Sequence, residues 1–232
     1  RSLITVSRPC QNTFRRRLRS NDLDRKPESM RLFLPIIAFI LMTCALTVPV
    51  MAGSGDAAAL IEQGMKPFHE GDFDTARKLF DAALAKEPNT LDALLARSAL
   101  HLDEGEPVDA LALLNRADRI APDNPDVLSG LARGYMAIKV TCKARRLADR
   151  AVELAPNAAW PVYVRALVHQ RVGLEQEAIR DFTRAMELAP GFVDAYIGRS
   201  EVYSAQGHDD LALEDIEAAL ALLDPLPPLT EE

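Results

Sequence analysis

Residues 57–90 read AAALIEQGMKPFHEGDFDTARKLFDAALAKEPNT, a string of small and apolar positions broken once at Gly71-Asp72 and closed by Pro88. The pattern does not end there. Pro88, Pro122, Pro156 and Pro190 stand thirty-four residues apart. Two alanine ladders keep step with them: Ala76, Ala110, Ala144, Ala178 and Ala212, then Ala83, Ala117, Ala151, Ala185 and Ala219. A fixed period of this size marks a stacked repeat, in which no unit buries its own apolar face and neighbouring units supply the core. The units run 57–90, 91–124, 125–158, 159–192 and 193–226.

Each unit carries about thirteen residues of helical apolar spacing, a break, and about thirteen more, the rhythm of two antiparallel helices. Gly71, Gly105, Gly173 and Gly207 end the first helices, where a left-handed residue is least costly as glycine; the third unit has Lys139 there. The prolines stop the second helices. The two alanine positions lie seven residues apart on one helix face, where a larger side chain would overpack the contact between helices. The predicted class is all-α, with Leu60, Leu94, Leu128, Val162, Tyr196, Phe80, Leu114, Phe182 and Ile216 filling the remaining space.

The 232 residues carry a net charge of -7. Residues 1–52 hold nine Lys and Arg against three Asp and Glu, so the rest of the chain is strongly acidic. An acidic body repels nucleic acid and anionic lipid, and neither is expected as a partner. Residues 1–29 are Arg-rich and without hydrophobic period; they read as a disordered or mis-annotated leader ahead of Met30. Met30 and Arg31 precede an apolar run over 32–50, and Val50, Met51, Ala52 before Gly53 form a small-x-small cleavage site. Residues 30–52 thus resemble a bacterial secretory signal. Export to the periplasm is expected, with an inner-membrane anchor as the alternative if the 32–50 run is not cleaved. Thr43 before Cys44 argues against a lipoprotein. Cys142 would be the only thiol of a cleaved chain.

From 57 to about 223 the sequence resembles the tetratricopeptide repeat family. Repeat one carries the resemblance best, through Gly64, Gly71, Asp72, Phe73, Ala76, Phe80, Ala83 and Pro88. Repeat three departs most, with Lys139 and Ala148. The resemblance implies a right-handed solenoid of about five helix pairs over 57–224, followed by a tail at 225–232. In that family the first helices line a concave groove. The positions it implies here are Ile61, Met65 and Phe68; Asp92, Leu95, Ala99 and Leu102; Ser129, Arg133 and Met136; Trp160, Tyr163, Leu167 and Gln170; Ile197, Glu201 and Ser204. The Lys and Asn that clamp a peptide carboxylate in chaperone-binding members are missing. An apolar trough of this kind suits an extended or helical peptide.

No phosphate loop, nucleophile elbow or His-Glu-x-x-His pair occurs, so no enzyme, cofactor or metal is expected. His101 and His169, two repeats apart, are read as packing residues. Cys142 opens a helix beside Lys143, Arg145 and Arg146, which would favour a thiolate, yet packing is the plainer role for a lone cysteine. Lys139, Lys143, Arg145, Arg146 and Arg150 form a basic cluster, read as a solvated face or else a dock for an acidic partner. The expected function is a non-enzymatic protein-interaction scaffold of the bacterial envelope. The alternatives are a structural homo-oligomer, such as a homodimer, through an uncapped last repeat, and a thiol-dependent protein using Cys142.

Overall fold

The computed structural model describes residues 54–223, all in helices and short turns. The readings of residues 1–52 and of the tail at 225–232 lie outside the described residues. Five helix pairs follow in order: α1 (Ser54–His69) with α2 (Phe73–Lys86), α3 (Leu91–Asp103) with α4 (Pro107–Ile120), and α5 (Pro125–Ala137) with α6 (Thr141–Leu154). Then come α7 (Ala159–Arg171) with α8 (Glu175–Leu188), and α9 (Val193–Ala205) with α10 (Asp209–Leu223). Each odd helix packs on the even helix that follows it, and the odd helices stand side by side from α1 to α9.

Local chemistry sets these boundaries. Asp72 caps α2 by accepting from the Thr75 amide at 3.1 Å, and Asn124 caps α5 by accepting from the Asp126 and Val127 amides. Pro107 and Pro125 occupy first helical turns, where a missing amide costs nothing. The four turn glycines all have φ between 76° and 79°. Lys139 takes the same left-handed turn at φ 62°, so the geometry of the third hairpin is kept at the expense of Cβ strain.

The core lies between the helices of each pair and between pairs. Nine of the ten ladder alanines are buried, and Ala212, on the last helix, is half-buried. The backbones approach closely there. A Cβ added at Gly64 would sit 2.5 Å from the Phe80 ring, and one at Gly198 2.5 Å from the Phe182 ring. Both rings are fully buried, so these glycines make room for the largest side chains of the core.

Two polar ladders also follow the period. Arg116 donates to the carbonyl of Pro88 and to Asn89, Arg150 pairs with Asp123, and Arg184 donates to the carbonyl of Pro156. These arginines, thirty-four residues apart, each strap a second helix to the turn that closes the preceding unit. In the second ladder the carboxylates are buried and the arginines half-buried. Arg165 forks onto Asp181 at 2.7 and 2.8 Å, and Arg199 onto Asp215 at 2.6 and 2.8 Å. Repeat three replaces the pair with Leu131 and Leu147, which pack in one apolar cluster. In repeat two Arg97 faces backward, to Asp81 at 2.8 Å.

Candidate functional site

The odd helices gather side chains from four repeats around one cavity of about 280 Å³. Its lining includes Ile61 and Met65 from α1, Leu95, Ala99 and Leu102 from α3, Arg133 from α5 and Trp160 from α7. The residues fall here because i, i+4 and i+7 spacing keeps one stripe of each first helix turned to the same side. Eight of the residues placed on the groove by phase (Ile61, Met65, Asp92, Leu95, Ala99, Leu102, Arg133 and Trp160) therefore share one space.

Met136, Leu167 and Gln170 meet separately, with Arg171 and Glu201, around a depression of about 400 Å³. Gln170 Nε2 donates to Glu201 at 3.1 Å and so links α7 to α9. Phe68 and Tyr163 differ from expectation. Phe68 is half-buried and packs edge-on to Phe80 and beside Phe73, in the core of the first hairpin. Tyr163 lies 4.8 Å from Phe192, 5.9 Å from Phe182 and 5.7 Å from Trp160, in an aromatic knot of the fourth unit that reaches the turn leading into α9. Burial pushes its phenol up to about 12, with Asp194, Glu201 and Asp103 adding to the rise and Arg133 opposing it. Ser129 is fully buried, because its hydroxyl donates to the Pro125 carbonyl at 2.7 Å and needs no solvent.

Arg133 holds the centre. It donates to Asp103 at 2.9 Å, and its guanidinium lies 5.4 Å from the centroid of the Trp160 ring. One side chain thus ties α3, α5 and α7 together and holds the indole in the cavity lining. The sequence reading missed Asp126, which lines the cavity one repeat after Asp92, and Phe192, which completes the aromatic knot from a turn. The thirty-four residue spacing from Asp92 was the available signal for Asp126; Phe192 lies outside both helices of its unit and had none.

The remaining candidates resolve into packing and ion pairs. His101 Nδ1 contacts Glu106 at 2.7 Å, and Glu104 is held by Arg77. Ligand atoms of His101, Glu104 and Glu106 come within 4.8 Å of one another like a metal-ligand set, but the Arg77 cation already matches Glu104. His169 is buried, with Nδ1 3.1 Å from Asp181 outside hydrogen-bonding angles. Two members of the basic cluster are ion-paired, Arg145 with Asp149 and Arg150 with Asp123 and Glu153, while Lys143 donates to the Tyr135 hydroxyl. Cys142 is exposed in the first turn of α6.

An array of equal helical hairpins with an open inner face is a repeat-type solenoid. Tetratricopeptide-repeat family models match residues 69–125 and 101–167 of this chain. Two solved structures give the same fold. TTC0263, a thermophilic tetratricopeptide repeat protein of Thermus thermophilus, is 21% identical, with 72% of this chain and 91% of that one covered at a TM-score of 0.66. The pilF protein of Pseudomonas aeruginosa is 18% identical, covering 72% of this chain and 76% of its own, at 0.55. MamA is similar at 26% identity over 69% of this chain and 94% of its own, with a TM-score of 0.47. No curated protein sequence matches significantly.

Proposed function

We propose that the chain is a non-enzymatic interaction scaffold that binds a polypeptide along the inner face of its odd helices. One observation carries this reading: an apolar cavity lined jointly by α1, α3, α5 and α7, with a tryptophan in its lining against which Arg133 packs. Such a surface gains from covering apolar area and presents an aromatic anchor point. A photo-crosslinking residue in place of Ala99, which lines the cavity, should capture a polypeptide, while the same probe in place of Val108, 71% exposed on α4, should not. Equal capture from both positions would overturn the reading.

The Arg-rich start, the apolar run over 32–50 and the site before Gly53 support export, with action in the bacterial envelope. Among the described residues no helix is long and apolar enough to cross a membrane. A phosphatase reporter fused after residue 60 should be active only outside the cytoplasm; an inactive fusion would refute export.

A second reading, assembly through the last helix, is favoured by α10. Leu213, Leu220 and Leu223 are 58, 59 and 66% exposed there. Sedimentation at tens of micromolar should then show a dimer that Leu213→Lys with Leu220→Lys returns to monomer. A monomeric unmodified chain removes this reading.

A further inference from the structure

The charges around the cavity are one-sided. Asp92 and Asp126 stand at its edge in the first turns of α3 and α5, exposed and without an ion pair among the described residues. The partial positive charge at each helix start suits an acidic side chain there. Asp194 holds the equivalent place on α9, and its charge, with those of Glu201 and Asp103, reaches Tyr163 across the same face. The cation that faces these carboxylates at the cavity is Arg133, which is spent on Asp103 and the Trp160 ring. Arg171 lies further along, beside Glu201.

Resting on the groove reading above, we infer that the occupant is a cationic segment with an apolar anchor, its Lys or Arg side chains meeting Asp92 and Asp126 while an apolar side chain fills the space between α1 and α3. Neighbouring odd helices place the two carboxylates roughly 10 Å apart, the packing distance of adjacent helices. An extended chain covers that span in about three residues. Because side chains of an extended chain alternate between faces, the segment is read as basic, apolar and basic at every second position, all three on the face turned to the groove. A carboxylate-ended or acidic peptide is repelled by the same rim, so this groove selects the opposite charge from the Lys and Asn clamp it lacks.

Trp160 is the single tryptophan and lines the cavity, so its emission reports occupancy without a label. The test titrates the full chain with a short peptide that carries lysine, leucine and lysine at every second position with serines between, and with its counterpart that has glutamate for lysine. The lysine peptide should shift Trp160 emission saturably, bind at least about fivefold tighter than the glutamate peptide, and weaken as salt rises. Asp92→Asn with Asp126→Asn should remove most of that difference, and Ala99→Phe, which puts a ring into the cavity from its lining, should abolish the shift while helicity stays unchanged. If both peptides bind alike and Ala99→Phe blocks both, the charge selection is wrong and the groove reading survives. If neither peptide moves the emission, or Ala99→Phe leaves it intact, both fall.

Discussion

At the residue scale the molecule contains its own comparison of a buried ion pair with an apolar pair. Arg165 with Asp181 and Arg199 with Asp215 occupy the places that Leu131 and Leu147 fill in repeat three. Burying two charges costs nearly what their attraction returns, whereas stranding one is expensive. Arg199→Leu alone should therefore destabilise by about 3 kcal/mol, and adding Asp215→Leu should restore most of it. Urea unfolding of the two single variants and the double variant gives the coupling; a double variant as weak as the sum of its parts would contradict it. Asp181 adds a pH dependence. Burial raises its carboxyl, but the His169 contact and the Arg165 guanidinium bring it below the ordinary carboxylate range. Its stabilising contribution is complete above the unfolded value of about pH 4 and is lost as pH falls through the lower folded value. Melting temperature should drop on acidification below about pH 4, with a shallower slope in Asp181→Asn. The Arg and Asp positions lie in repeat phase and were open to a reader of the sequence. They escaped notice because only some units carry them, unlike the alanines, which every unit keeps.

At the scale of the element, the hairpin turn is the least satisfied part of the third unit. Lys139 adopts φ 62° where four other units have glycine at φ 76–79°. A side chain in that region costs about 1–2 kcal/mol, part of which glycine gives back through its freer unfolded chain. Lys139→Gly should stabilise the array by roughly 0.5–1 kcal/mol in urea unfolding, with no change in helicity. Loss of stability would mean that the lysine side chain contributes packing that outweighs its strain. Helix pairs, their breaks and their caps were legible, since proline, glycine and the alanine faces recur at fixed places. The inner face was legible less completely. Phase puts Phe68 and Tyr163 on the border between groove and core, and only the neighbouring rings of Phe73, Phe80, Phe182 and Phe192 draw them inward. Ser129 escaped for another reason: a hydroxyl bonded to its own helix is satisfied in the dark.

At the scale of the whole array, stability is a sum over units and the contacts between neighbours. Arg133 spans from Asp103 to Trp160, so occupancy of the cavity bears on three consecutive units at once. The arginine straps act differently, because each reaches only the turn of the unit before it. Removing residues 125–158 would bring Arg184 opposite Pro122, an acceptor in the same phase as the lost Pro156. That shortened chain should fold cooperatively with a lower midpoint in urea, whereas deletion of 125–141 should leave an unfolded or aggregated product seen by circular dichroism. A soluble, cooperative half-unit deletion would refute the additive picture. The tie between donor and acceptor is thus indifferent to how many modules separate the ends of the chain. Lineages could lengthen or shorten this protein by whole modules, tuning the span of polypeptide it embraces, without inventing a new joint.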